Sequence, residues 1–273
     1  MFTMHLTAVN PDPLAKSTRT ARCFATWWRA REPQLPRTER WATRVFGARC
    51  VLCSLDVAVP AVALCGDCAA TLPFRIRPEH EIVAAGADRY CVPFDYAQPV
   101  SNWIRALKFA DQRTYARLLG SLLAASVAAR GLPLPTAIVP IPLHPSRQRE
   151  RGFNQAERIA RAAARWLDLP VRADALLRRR ATRAQSSLAA AERRANVRAA
   201  FICTGVGVGD SRRRGLVLPR HVAIVDDVVT TGATAAAAAQ VLRAAGVQNV
   251  ELWAMARVVG ETDTASEAPP GFA

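Results

Sequence analysis

Two stretches of the chain repeat one pattern: a short apolar run, a loop of small and polar residues, then an amphipathic run at helical spacing. The first begins with Ala137-Ile138-Val139-Pro140-Ile141 and passes through a Pro- and Arg-bearing loop. From about Asn154 it becomes periodic, with Ala156, Ile159, Ala160, Ala163 and Leu167 on one face and Glu157, Arg158, Arg161 and Arg165 on the other. The second begins with Val222-Ala223-Ile224-Val225, continues through Asp226-Asp227-Val228-Val229-Thr230-Thr231-Gly232, and ends in the helix-forming run Ala235–Leu242, stopped by Gly246. Short, unbroken apolar runs predict strands buried on both faces, as parallel sheets require. Strand-loop-helix repeats predict an α/β domain with a central parallel sheet flanked by helices, from about residue 88. Upstream, Tyr90–Phe94 reads as a strand. Ser101–Phe109 and Thr114–Ala129 read as helices, with Ile104, Leu107, Leu118, Leu122 and Leu123 on apolar faces.

The rest of the chain lacks such patterning. Residues 1–45 are rich in Arg, Pro and Thr, with Trp27, Trp28 and Trp41 scattered among charges, and predict a poorly ordered basic extension. Residues 171–200 have few large apolar side chains and many arginines, which predicts a mobile basic segment; residues 204–220 are an Arg/Gly-rich loop. The expected organisation is a small module at 46–75, an α/β domain at 88–259 and a flexible tail at 260–273.

The formal net charge is +15, and lysine occurs only at Lys16 and Lys108. Arginine's planar fork suits phosphate and nucleic acid, but an Arg-rich composition also populates solvated helix faces. Only local arginine clusters therefore argue for anionic ligands, and the basic segments make single-stranded DNA a candidate partner. Lys108 reads equally as a group approaching a phosphate and as a solvated helix residue. No apolar run approaches the length of a membrane span, and the N-terminus has no secretory signature. The expected compartment is the cytoplasm, with reduced thiols.

Four of the seven cysteines fall in two knuckles, Cys50-x-x-Cys53 and Cys65-x-x-Cys68. This spacing places four thiolates around one Zn²⁺ with no position left open for water, so the expected role is structural. The segment between them is too short to form a core alone, so metal would supply much of its folding energy. A pair of disulfides is the competing reading. Cys23, Cys91 and Cys203 have no partner at ligand spacing.

The second strand-loop-helix unit carries the most specific chemistry. A loop of small residues at a strand's carboxyl end directs backbone N–H groups at one anion, and the helix dipole adds to the attraction. Gly232 lets an anion approach closely, and Thr230, Thr231 and Thr234 add hydroxyl donors. Asp226 and Asp227 are acceptors for sugar hydroxyls, directly or through a metal. A phosphate cradle beside a diol clamp suits a ribose 5-phosphate. The loop lacks the lysine of a Walker A motif. In the first unit, Arg147, Arg149 and Arg151 precede Gly152 at a strand's carboxyl end, a natural pyrophosphate site.

The order apolar strand, Asp226-Asp227, two spacers, Thr230-Thr231-Gly232-Ala233-Thr234 resembles the phosphoribosyl-pyrophosphate (PRPP) loop of type I phosphoribosyltransferases. Ile138-Val139-Pro140-Ile141-Pro142-Leu143-His144, then Arg147 and Arg151-Gly152-Phe153-Asn154-Gln155, resembles the ComF/GntX family, which joins a four-cysteine zinc module to such a domain. Arg178, Arg180, Thr182, Gln185, Arg194 and Asn196 extend the likeness, which spans about residues 48–258. The resemblance implies a type I phosphoribosyltransferase-like fold and binding of PRPP with Mg²⁺. It implies that Asp226 and Asp227 serve the ribose hydroxyls and metal waters, Thr230, Thr231, Gly232, Ala233 and Thr234 the 5-phosphate, and Arg147 and Arg151 the pyrophosphate. Residues 171–200 resemble the lid that closes over PRPP in type I enzymes. Hypoxanthine-guanine enzymes carry Asp where this chain has Thr230, which argues against that acceptor, and no base-binding hood is recognisable. Two functions follow from the resemblance: phosphoribosyl transfer to an unidentified acceptor, and a PRPP-responsive accessory role in DNA uptake during natural competence, with single-stranded DNA or a helicase-like protein as partner.

Overall fold

The computed structural model describes residues 26, 30, 49–57, 62–75, 86–110, 112–179, 200–204 and 218–258. The expected extension at 1–45 (Thr26 and Ala30 apart), residues 180–199 of the expected lid, residues 205–217 of the Arg/Gly loop and the tail at 260–273 lie outside the described residues. The chain forms two compact units, Met1–Leu72 and Pro73–Ala273.

In the first unit, both cysteine knuckles are tight turns. The Ser54 N–H donates to the Cys50 carbonyl at 2.9 Å and closes the first. The second opens a short helix, α1 (Gly66–Ala70), with Cys65 as its N-cap. Val62, Leu64, Ala69 and Leu72 are buried around them.

The second unit is built on a parallel sheet. Its strands are β1 (Arg89–Cys91), β2 (Phe94–Asp95), β3 (Ala137–Pro140), β6 (His221–Val229) and β7 (Asn249–Arg257), in the order β1-β7-β6-β3, with β2 continuing beside β7. The expected strand at Tyr90–Phe94 is thus broken: Val92 and Pro93 separate β1 from β2, and both halves pair with β7. The two strands central to the sequence reading lie side by side, with Ile138 opposite Ala223 and Pro140 opposite Val225. A short antiparallel ribbon, β4 (Leu176–Arg178) with β5 (Phe201–Cys203), completes the strands.

Helices cover both faces of the sheet. They are α2 (Val100–Ala110), α3 (Arg113–Ala129), α4 (Pro145–Arg151), α5 (Gln155–Leu167) and α6 (Ala233–Ala244). Ala137, Val139, Val222, Ile224, Val250 and Leu252 form one core with α6 residues such as Ala238 and Leu242 and with Leu176 and Phe201 of the ribbon. Side chains alternate across a strand, so Ile138, Ala223, Val225 and Trp253 face the other side, where α3 and α5 pack.

Three elements differ from the sequence reading. First, residues 145–151, expected as a loop, form α4. Pro145 occupies its first turn, where no N–H is needed; the His144 side chain accepts from the Ser146 N–H, and Gly152 ends it at φ 75°. Second, β6 runs through Asp226 and Asp227 to Val229, so both carboxylates stand on the strand rather than in a loop. Third, residues 171–179 belong to the folded domain. Leu176 is fully buried, and Val171 bridges to Ile138 at the open edge of β3. An Arg-rich composition hid one core leucine.

At the amino end of β7, Glu251 is buried yet fully engaged. It accepts from the Trp253 indole and from Arg130, each at 2.9 Å, and His221 Nε2 lies 3.1 Å away. Burial alone would raise its pKa, but these donors outweigh it and hold the carboxyl below its ordinary value. Its contribution to stability is therefore present above the ordinary glutamate pKa and is lost as pH falls through the depressed one.

The α3–α5 contact is set by Gly120. A methyl placed there would lie 2.4 Å from the Ala162 Cβ and 2.8 Å from the Ala163 nitrogen. Gly120→Ala should gain helix propensity but force the two helices apart, for a net destabilisation of about 1–2 kcal/mol. Chemical denaturation should show a lower midpoint with an unchanged slope; an equal or higher midpoint would show that the helices are not packed this closely.

Candidate functional site

The site residues converge at the carboxyl ends of β3 and β6, where helices begin on neighbouring loops. This is where open α/β sheets bind ligands. The groups come from the end of β6, the starts of α5 and α6, the last turn of α2, helix α4 and the ribbon strand β4.

Asn154 organises the first loop. Its Nδ2 donates to the Ile141 carbonyl at 2.9 Å, and its Oδ1 accepts from the Ala156 N–H at 3.0 Å. One buried side chain thus ties the end of the β3 segment to the start of α5, and this fixes Gln155 beside it. Gln155 Nε2 reaches Asp227 Oδ1 at 3.5 Å, and Gln155 Oε1 accepts from Arg151 at 3.3 Å. Arg151, at the last turn of α4, in turn places its guanidinium over the Phe109 ring, 5.4 Å from the centroid.

Asp227 is only 5% exposed. A buried carboxylate needs a partner, and Lys108 from the last turn of α2 ion-pairs with its Oδ2. Lys108, which the sequence read equally as a group approaching a phosphate and as a solvated helix residue, here pairs with a buried carboxylate. Asp226 accepts the Asp227 N–H at 2.8 Å. Burial, and then the neighbouring Asp227 charge, push the Asp226 carboxyl well above the usual carboxylate range, while Lys108 opposes this. Lys108 thus pairs directly with Asp227 and tempers the raised proton affinity of Asp226, a site ready to accept further positive charge or hydroxyl donors.

Arg178 of β4 approaches from the ribbon. Burial lowers its pKa first, the like charge of Arg147 adds to this, and Asp226 opposes both. Arg178 of β4 thus lies near both Arg147 of α4 and Asp226. Arg178 also lies over the Phe201 ring at 5.4 Å.

Thr230, Thr231 and Gly232 connect β6 to α6. Gly232 caps the helix in the left-handed region at φ 75° and contributes no side-chain cap, and the first turn holds no acidic residue. The Thr231 hydroxyl accepts from the Ala233 N–H at 3.4 Å; Thr230 and Thr231 are exposed, Ala233 and Thr234 half-buried. The start of a three-turn helix with open N–H groups attracts an anion.

Asp226, Asp227, Arg147, Arg151 and the 230–234 loop therefore all belong to this end of the sheet. Sequence reasoning did not assign Gln155, Phe109 or Arg178 to the site. Gln155 and Arg178 stood in recognisable motifs without a role. Phe109 had one signal, an aromatic beside the lysine of α2 and out of register with its apolar stripe.

In the first unit, Cys50, Cys53, Cys65 and Cys68 bring their Sγ atoms within 4.8 Å of one another. The Cys53–Cys65 separation is 3.6 Å. Tetrahedral Zn–S bonds of about 2.3 Å span nearly this distance, so the cluster can hold a metal ion such as zinc. Burial opposes ionisation of Cys50, but the N–H groups of Cys53, Cys65 and Leu52 outweigh it and bring its thiol down to about 6. The four thiols are free of disulfides.

No helix among the described residues is long and apolar enough to cross a membrane. No family model matches the chain. Over 232 residues it is 32% identical to competence protein F of Haemophilus influenzae, covering 78% of this chain and 98% of that protein. Over 222 residues it is 35% identical to the DNA utilization protein YhgH of Shigella flexneri, covering 80% and 88%. It is 30% identical over 165 residues to competence protein ComFC of Streptococcus pneumoniae, covering 60% and 66%. With a four-cysteine cluster preceding a parallel α/β domain, and likeness along nearly the whole of competence protein F, the chain belongs to the ComF family.

Proposed function

We propose that this protein binds PRPP at the carboxyl end of β6 and transfers its phosphoribosyl group to an acceptor. The observation that carries the reading is the succession on one short segment of two adjacent carboxylates and a glycine-capped helix start. Asp226 and Asp227 accept hydrogen bonds from the ribose hydroxyls. Thr230, Thr231, Gly232, Ala233 and Thr234 receive the 5-phosphate through N–H and hydroxyl donors. Arg147 and Arg151 face the pyrophosphate, with Arg178 adding charge beside Arg147. In the transfer, the bond from the anomeric carbon to pyrophosphate breaks and its electron pair leaves with the pyrophosphate. A lone pair of the acceptor forms the new bond, and the acceptor's displaced proton passes to solvent. The chain's part is to hold the sugar and to neutralise the leaving group.

Asp226 and Asp227 fit a Mg²⁺ accompanying PRPP, held through water, where it would neutralise pyrophosphate charge. Lys108 supplies that neutralisation for Asp227 in the ligand-free chain. In the first unit we propose zinc as the structural ion of Cys50, Cys53, Cys65 and Cys68.

The names of the relatives, competence protein F and DNA utilization protein, support a second reading. In it, PRPP binding serves DNA uptake or use in the cytoplasm, with single-stranded DNA or a helicase-like protein as partner. Pyrophosphate release that depends on an added acceptor separates the enzyme from the accessory protein.

The PRPP site is tested by calorimetry with PRPP and Mg²⁺. Asp226→Asn and Asp227→Asn should each weaken binding about tenfold or more, the effect of losing charge-assisted hydrogen bonds. Gly232→Val should be worse, because a branched residue is strained at positive φ and narrows the cradle. Melting curves establish that the variants are folded; folded variants with unchanged affinity would remove the site from this loop.

For the metal, purified protein should carry about one zinc per chain. Cys53→Ser and Cys65→Ser should lose it and increase proteolysis within residues 49–72. Full zinc content in either variant would contradict four-thiolate ligation.

A further inference from the structure

Helix α4 carries two arginines of the proposed site, Arg147 and Arg151, yet none of its seven residues is buried. Its caps are local, His144 at one end and Gly152 at the other. Core packing therefore does not set where these arginines stand relative to β6. What reaches from α4 to the strand is an amide. Gln155, only 5% exposed, accepts from Arg151 through Oε1 at 3.3 Å and directs its Nε2 at Asp227 Oδ1 at 3.5 Å. Lys108 holds the other oxygen of the same carboxylate. The polarity of the link is fixed by its ends. The reverse orientation would set the amide oxygen against a carboxylate and the NH2 group against a guanidinium. Glutamate at this position would put a second negative charge beside Asp227, and lysine would repel Arg151. The amide serves both partners.

Gln155 is itself held to the sheet by a short chain of hydrogen bonds. The Ile141 N–H donates to the Val225 carbonyl at 2.9 Å, one residue before Asp226. Asn154 Nδ2 donates to the Ile141 carbonyl at 2.9 Å, and its Oδ1 accepts from the Ala156 N–H at 3.0 Å. The base of Gln155 is thus fixed against β6, and its tip joins β6 to α4. Both tip contacts are long for hydrogen bonds, which leaves room for them to tighten as a ligand draws on either partner. From this, and resting on the ribose-phosphate reading of the site, we propose that Gln155 is a positioning residue that couples the two clamps on PRPP. It sets the Arg151 guanidinium, which faces the pyrophosphate, at a fixed place relative to the Asp227 carboxylate, which faces the ribose hydroxyls. The bond that breaks lies between those two groups, so their spacing decides whether both ends of the substrate are held at once. Gln155 acts through its neighbours and touches neither reacting atom.

The test is a double-mutant cycle of Gln155→Leu and Arg151→Ala in the full-length, zinc-loaded protein, read by calorimetry with PRPP and Mg²⁺. Leucine keeps an apolar side chain of similar size in a buried place and removes both contacts. Gln155→Leu should weaken PRPP about tenfold, the scale of hydrogen bonds to charged groups. It should weaken ribose 5-phosphate, which lacks the pyrophosphate, by less. Because Gln155 acts through Arg151, the same substitution should cost little further PRPP affinity in the Arg151→Ala background, so the two losses are not additive. A residue that only supports the fold would lower the affinity by the same factor in either background. Gln155→Met is the second variant, with an unbranched chain, and melting curves show which variants are folded. Additive losses, wild-type PRPP affinity in folded Gln155 variants, or an equal loss for ribose 5-phosphate overturn the coupling and leave the ribose-phosphate site standing. Failure of the wild type to bind PRPP overturns the site and the coupling together.

Discussion

β6 lies between β3 and β7 and is covered on both faces, so Val222, Ala223, Ile224 and Val225 must all be apolar. The chain cannot place a charge on this strand until it nears the sheet's rim. The first two polar positions after the apolar run are Asp226 and Asp227, and the strand continues beneath them to Val229. The main consequence is electrostatic. Two adjacent carboxylates are held by the sheet's own hydrogen bonds where solvent is scarce, and the surrounding elements must supply countercharge. α2 delivers Lys108 to Asp227, and β4 brings Arg178 near Asp226. Both elements carry apolar side chains into the core, Ile104 and Leu107 on α2 and Leu176 on β4, so the site takes its geometry from the core as well as from its own contacts.

The same sheet shows what a buried carboxylate looks like when its role is structural. Glu251, at the opposite end, has two donors at 2.9 Å and a histidine beside it, and its pKa is depressed. Asp227 has one lysine and an amide at 3.5 Å, and its neighbour Asp226 is pushed upward. One end of the sheet has its charges closed off; the other leaves them open to further partners. The difference lies in side chains, since the backbone pairing is parallel throughout.

The apolar runs gave β3 and β6 as strands of one parallel sheet, because such a sheet demands unbroken hydrophobicity; that the two pair directly was not written in them. The Thr-Thr-Gly run marked the turn into α6, whereas Asp226 and Asp227, read as part of a loop, stand on the strand. Other features were hidden for physical reasons. Helix α4 depends on a histidine cap and a proline in the first turn, which a Pro- and Arg-rich string disguises as a loop. The ordered part of 171–179 rests on Ala175 and Leu176 in the core, too few apolar residues to leave a period. Lys108 and Gln155 meet Asp227, and Arg151 meets Phe109, only when α2, α4, α5 and β6 are packed, which no local pattern encodes. The arginine excess was a poor guide as a total, although Arg178 of the basic segment does lie near Asp226.

The proposed ribose-phosphate site has Asp226 and Asp227 at its centre, at the end of β6. The most direct measurement is a crystal structure of the chain grown with PRPP and Mg²⁺. It should show the 5-phosphate on the Thr231–Thr234 backbone, the ribose hydroxyls on the two aspartates, and Lys108 drawn from Asp227 toward the pyrophosphate. PRPP bound elsewhere, or an intact Lys108–Asp227 pair with the loop free of ligand at saturating PRPP, would contradict it.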